Sequence, residues 1–197
     1  MPTVMTIAGR SSSITSAFVN AIIPVVPPTE AEVEEALSIL GMAPDDVRCA
    51  YCGDASTEWD HLRPLVQNKK PTGHVSEIAN LVPACGKCNQ SKGKRHWREW
   101  MESSARRSPT ARKLEGISER IVALERYESW RTPMKIDFGS VVGEELWDKH
   151  WRNWTGIIEL MKVSQQHAEL VRRRVASHAA SRLDLNSPSD GRRVPSG

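Results

Sequence analysis

Cys49-Ala50-Tyr51-Cys52-Gly53, then Glu58-Trp59-Asp60-His61-Leu62-Arg63-Pro64, then Asn80-Leu81-Val82-Pro83-Ala84-Cys85-Gly86-Lys87-Cys88-Asn89-Gln90-Ser91-Lys92-Gly93: these three runs decide the fold. Two Cys-x-x-Cys pairs enclose an Asp-His dipeptide and are followed at once by an asparagine. Their four cysteines are all that the 197-residue chain has, so none is left over. Each pair turns two sulfurs towards one centre, and two pairs complete the tetrahedral thiolate shell that zinc prefers. The competing readings are two disulfides or four unrelated buried thiols. The first basic residue is Arg10, and the apolar stretch after Phe18 is interrupted by Pro24, Pro27 and Pro28, so no secretory signal is read there. A reducing, cytoplasmic setting is therefore expected, and it favours metal over disulfide. A shell of four sulfurs (Cys49, Cys52, Cys85 and Cys88) leaves no open coordination position, so this zinc is expected to be structural. Its binding free energy, on the order of 10 kcal/mol, is then largely folding free energy.

The interval between Cys52 and Cys85 is long, at 32 residues, and holds the candidate chemistry. Glu58 to Leu62 reads as a short strand with Trp59 and His61 on one side and Asp60 on the other. Pro64 and the run from Gln67 to Gly73 end it in a loop. Asn80 to Pro83 reads as a second extended piece. From Asn89 a stretch rich in helix formers continues through Trp97 and Trp100 to Met101, with the two tryptophans expected to pack the helix onto the strands. The order is strand, loop, strand, helix, and the fold class is α+β.

Asp60-His61, Asn80 and Asn89 between paired cysteines resemble the zinc-stabilised HNH endonucleases, which use the ββα-metal fold. The likeness covers about Arg48 to Met101 and rests on Cys-x-x-Cys-Gly, Asp-His-x-x-Pro, Asn-Leu-Val-Pro-x-Cys and Cys-Asn-x-x-Lys-Gly in that order. It implies a metal-dependent DNA endonuclease, with His61 as the general base that activates water. An imidazole, with an ordinary pKa of about 6.5, suits that role. By the same resemblance Asn80 fixes the orientation of the ring, and Asp60 and Asn89 give oxygen ligands to one divalent cation. That ion is expected to be magnesium, with manganese or another divalent ion as an alternative. The products implied are a 5′-phosphate and a 3′-hydroxyl.

Between Lys87 and Arg98 there are five cations, Lys87, Lys92, Lys94, Arg95 and Arg98, and no acid. At the start of a helix they oppose the helix dipole, a conflict that is relieved if the combined field meets an anion. Lys87, Lys92, Lys94 and Arg95 are therefore expected to contact double-stranded DNA, Lys92 nearest the scissile phosphate; the alternative is a solvated charged face. His74 and His96 are not assigned to metal.

The formal net charge of +3 makes the chain as a whole no polybasic tail. Residues 1–28 are poor in charge and rich in Ser and Pro, and read as a disordered leader. Residues 29–48 hold a helix opened by Thr29 with Glu32 in a capping box and closed at Gly41, with Val33, Ala36, Leu37 and Leu40 on one face. Residues 49–103 form the nuclease core. Residues 104–183 form a helical region, entered through a polar linker from Ser103 to Thr110. It carries a first stripe of Ile117, Ile121, Leu124 and Tyr127 and a second of Trp147, Trp151, Trp154, Ile158 and Met161, which reads as core packing or a subunit interface. These helices are expected to pack on the core, carry DNA contacts or pair two copies of the chain. Arg172, Arg173 and Arg174 suit either phosphate or solvent. Residues 184–197 read as a disordered tail. No apolar run reaches the roughly 20 residues of a membrane span. A second reading, a non-catalytic zinc-knuckle module that binds nucleic acid, lacks any need for the full set of Asp60, His61, Asn80 and Asn89. A third is a structural or assembly protein in which the knuckles only staple the fold.

Overall fold

So short a segment between the cysteine pairs has room for only minimal sheets, and the structure, a computed structural model describing residues 4–185, builds two of two strands each. In chain order the elements are α1 (Ser11–Asn20), α2 (Glu30–Ile39), β1 (Glu58–His61), β2 (Val66–Gln67), β3 (Lys70–Pro71), β4 (Leu81–Ala84), α3 (Gly86–Lys92), α4 (Trp97–Glu102), α5 (Ile117–Trp130), α6 (Phe138–Val142) and α7 (Glu144–Leu185). The chain divides into two compact units, Ile14–Lys149 and the pair of segments Met1–Ser13 and His150–Gly197.

In the larger unit β1 and β4 pair antiparallel, with Asp60 opposite Val82 and His61 opposite Leu81. The bond from Leu62 N–H to the Asn80 carbonyl, 2.9 Å, carries the ladder one step past the strand. Between these strands β2 and β3 make a tight hairpin through Asn68 and Lys69, both at positive φ. The core joins both cysteine knuckles, Leu62, Ile78, Val82 and Ala84 to Ala36 and Leu40 of α2, Trp97, Trp100 and Met101 of α4, and Leu124 and Tyr127 of α5. Fully buried Trp100 meets Tyr51 edge-on at 5.3 Å and donates to Ser91 Oγ. Tyr127 donates its hydroxyl to the carbonyls of Ile78 and Leu81, fixing the turn that feeds β4.

The capping box of α2 is present in both directions, Glu32 N–H to Thr29 Oγ1 and Thr29 N–H to the Glu32 carboxylate. Arg131, after α5, pairs with Glu32 and Glu35, and Trp130 donates to Glu35, tying α5 to α2.

Several expectations are corrected. Residues 1–28 are not all leader: α1 is a helix whose Thr15 and Val19 are buried, and Ile23 is buried after it. Low charge and many prolines hid this, because the prolines lie beyond the helix. The single helix expected from Asn89 to Met101 is two. It begins at Gly86, with Cys85 as N-cap, and breaks at Gly93, whose φ of 53° and ψ of −126° only glycine adopts readily. Asn89 is therefore inside α3 and caps nothing. Lys92 stands in the last turn of α3, with Lys94 and Arg95 beyond its end, where the dipole favours cations; the conflict holds only for Lys87, in the first turn of α3, and Arg98, in the first turn of α4. The polar stretch from Ser103 to Thr110 is packed: Ser108 is fully buried and donates to the Ser103 carbonyl at 2.6 Å. Nor does a boundary fall at 103/104, since α4 and α5 share one core.

In the smaller unit α7 runs on without a break through Gly156. Its least exposed face carries Trp151, Trp154, Ile158 and Met161, and Gln165 Oε1 on the same helix accepts from Ile7 N–H at 2.7 Å. Residues 171–182 are exposed throughout, Arg172, Arg173 and Arg174 included. The tail expected to be disordered lies, from residue 186 on, outside the described residues; Leu185 and the residue before it end α7. Among the described residues no helix is long and apolar enough to cross a membrane.

Candidate active site

Tight local turns build the cysteine cluster. Gly53 at φ 77° closes the first knuckle, with its N–H on the Cys49 carbonyl, and the second is the first turn of α3, with Cys88 and Asn89 N–H on the Cys85 carbonyl. The four sulfurs are buried, none is in a disulfide, and all lie within 4.8 Å of one another. Cys52 and Cys85 are 3.7 Å apart, close to the roughly 3.8 Å edge of a tetrahedron with 2.3 Å zinc–sulfur bonds. Hydrogen bonds from Cys52 and Cys88 draw Cys49 down to about 4, and the same contact with Cys49 pushes Cys88 far up. Without a cation the cluster thus favours a thiolate beside thiol donors; a divalent ion is what lets all four ionise. The donor set fits zinc.

Asp60, His61 and Asn89 border one cleft of about 410 Å³, together with Ser76, Gly93, Lys94 and, from the N-terminal segment, Ser16, Asn20, Ile23 and Val25. Asp60 is 5% exposed. Its Oδ2 accepts from Tyr51 Oη at 2.7 Å and lies 3.0 Å from Lys92 Nζ, while Oδ1 is 3.4 Å from the same ammonium. Burial pushes the Asp60 carboxyl up and pulls the Lys92 ammonium down, each against the other's attraction. Desolvation outweighs pairing on both sides, the usual balance for an ion pair taken out of water. Tyr51, held far above its ordinary range by burial and then by Asp60, stays a donor.

Lys92 departs from expectation. At 1% exposure it does not reach a solvent-borne phosphate; it pairs with Asp60 and donates to the carbonyls of His61, 2.8 Å, and Gly93, 3.3 Å. One ammonium thus ties the carboxylate, the backbone of the histidine and the break after α3. Asn80 also differs. Fully buried, it accepts from Arg63 N–H at 2.8 Å and donates to the Arg63 carbonyl at 3.1 Å, so it clamps the chain just after β1. The ring of His61 is met by Ser76, with Nε2 2.9 Å from Oγ. Burial, with Lys92 as second cause, pulls His61 down to about 4, which keeps the imidazole neutral at pH 7.

Asn89 donates its amide to Glu58 Oε1 at 3.2 Å, which leaves its carbonyl oxygen as the group available to a cation. Asp60 Oδ1, 3.4 Å from Lys92 Nζ, is the less engaged of the two carboxylate oxygens. Lys87 and Lys94 are exposed and, among the described residues, in no ion pair. Arg95 folds back on the carbonyls of Ser91 and Lys92 at the end of α3. Sequence reasoning missed Tyr51, Ser76 and Glu58. Tyr51 has a signal, an aromatic hydroxyl between two paired cysteines, whereas Ser76 sits in a loop and has none.

Residues 49–95 match the HNH endonuclease family. The chain is also similar to the CRISPR-associated endonuclease Cas9 of Corynebacterium diphtheriae, 33% identical over 89 residues that cover 43% of this chain and 7% of that protein. No solved structure gives a significant match. With paired cysteines able to hold zinc and the ββα order of β1, β4 and α3 around them, residues 49–95 are an HNH endonuclease domain.

Proposed function

We propose that this domain hydrolyses phosphodiester bonds of double-stranded DNA, with His61 as general base and one divalent cation, magnesium, held by Asp60 and Asn89. The observation that carries the reading is that the Asp60-His61 pair and Asn89, 28 residues further on, border a single cleft. His61, kept neutral by burial, takes a proton from the water that attacks phosphorus. The bond from phosphorus to O3′ breaks, leaving a 5′-phosphate, and the departing oxygen is protonated to a 3′-hydroxyl. The cation, when bound, offsets charge on the phosphate and the leaving oxygen. Tyr51 and Lys92 hold the Asp60 carboxylate, Lys92 holds the His61 carbonyl and Asn80 the backbone of Arg63 just beyond it, and the cysteine cluster with structural zinc holds the first knuckle against α3. Exposed Lys87 and Lys94 meet backbone phosphates, Lys94 from the rim of the cleft, with Arg95 beside them.

Supercoiled plasmid incubated with the full chain tests this. Cleavage is expected with magnesium, none with chelator, and none with His61→Ala at unchanged zinc content. Cleavage by His61→Ala at the wild-type rate removes the base from its role. Retarded but uncut plasmid under every divalent ion tried instead favours a binding module.

A further inference from the structure

The family match begins at Cys49, yet residues far ahead of it line the cleft. Ser76 N–H donates to the Pro24 carbonyl at 3.1 Å, and Val26 N–H to the Ser76 carbonyl at 2.8 Å, so Val25 and Ser76 form a parallel bridge. Both main-chain groups of Ser76 are thereby committed to the N-terminal segment. That segment is itself anchored by Val19, fully buried, and Ile23, 8% exposed, and Val75 beside Ser76 is fully buried. From this fixed backbone Ser76 Oγ reaches His61 Nε2 at 2.9 Å. Among the described residues no hydrogen bond is made to Nδ1, and the ring borders the open cleft.

A serine hydroxyl can donate to a neutral ring nitrogen or accept from its N–H, and only the accepting role persists once the ring takes up a proton at its other nitrogen. We propose that Ser76, held in place by the Pro24–Val26 strand, is a positioning residue for His61: its hydroxyl accepts from Nε2–H and leaves Nδ1 as the nitrogen that faces substrate water. Leu62 and Asn80 fix the backbone but give the ring no rotational restraint; Ser76 supplies it. The hydroxyl accepts from Nε2–H both before and after the proton is taken up on Nδ1, so the contact need not break during the reaction. The N-terminal segment is by this account a wall of the active cleft rather than an appendage. The assignment of Nδ1 as base rests on the proposed nuclease reading; the tautomer itself does not.

The test uses the full chain, zinc-loaded and free of magnesium, with nitrogen-15 in histidine. Long-range proton–nitrogen correlation spectra report the tautomer, with His61→Ala assigning the ring. Wild type is expected to show His61 neutral with its proton on Nε2, and Ser76→Ala a mixture of tautomers. On plasmid with magnesium, Ser76→Ala is expected to lose about tenfold in kcat with KM unchanged, the scale of effect known for groups that orient a ligand or base. Ser76→Thr, which keeps the hydroxyl, restores both readouts. Val26→Pro removes one N–H of the clamp and shifts the tautomer the same way by a smaller amount; it and Ser76→Thr carry the test if Ser76→Ala loses its fold by circular dichroism. An unchanged tautomer and kcat in Ser76→Ala, or a Ser76→Thr variant as impaired as Ser76→Ala, overturns the proposal. Wild type that cuts no DNA yet shows the Nε2–H tautomer, lost in Ser76→Ala, overturns the nuclease reading and leaves the positioning role standing.

Discussion

Asp60 and Lys92 are nearly unexposed and bonded to each other, so each is the other's neutralising partner. Removing one leaves a buried charge uncompensated, at about 3–5 kcal/mol. Lys92→Met is therefore expected to lower the unfolding free energy measured by urea titration by that much, while Asp60→Asn combined with Lys92→Met recovers a good part of it. A single variant as stable as wild type contradicts the pair as described. His61→Ala, by contrast, is expected to leave stability and zinc content near wild type and to reduce cleavage by at least about a hundredfold, the usual share of a general base. At this scale the sequence was partly legible. The order of Asp60, His61 and Asn89 between and after the cysteines is local to one strand and one helix, and the structure brings the three to one cleft. For Lys92 and Asn80 the sequence names the residue but not its partner. Whether a lysine turns out towards phosphate or in towards a carboxylate 32 residues away depends on packing that spacing does not encode. Ser76 was invisible, since only the fold brings it to the ring.

Among the elements, the start of α2 and the break after α3 separate what can be read from what cannot. The capping box at Thr29 was written in four consecutive residues, and the structure forms both of its bonds. Thr29→Ala is expected to cost about 1 kcal/mol, measured by chemical denaturation; no loss at all contradicts the cap. The break between α3 and α4 was harder, because helix-forming residues flank Gly93 on both sides. At φ 53° and ψ −126° an alanine is strained by about 1–3 kcal/mol, although its Cβ meets nothing closer than 3.9 Å. Gly93→Ala should therefore melt lower without a change in zinc content. An unaffected melting temperature means that α3 and α4 do not part there. Separation of the two helices matters for the site: it lets α3 present Asn89 to the cleft while α4 turns Trp97 and Trp100 into the core.

For the molecule as a whole, the larger unit takes in segments that the sequence reading kept apart. Amphipathic stripes at Leu124 and Tyr127 announced a buried face of α5 but not that it would cover the second strand and the turn before it. The cysteine cluster joins the first knuckle to the start of α3. Cys85→Ser is expected to lose zinc and cooperative melting together; a metal-free variant that melts like wild type contradicts this. The central claim is narrower: His61, Asp60 and Asn89 act as one catalytic centre. Cleavage rates for His61→Ala, Asn89→Ala and the double variant, measured on one plasmid at one magnesium concentration, test it most directly. Groups that work as a unit give non-additive losses, so the double variant should be no slower than the worse single variant. Losses that multiply, or an Asn89→Ala enzyme as fast as wild type, contradict it.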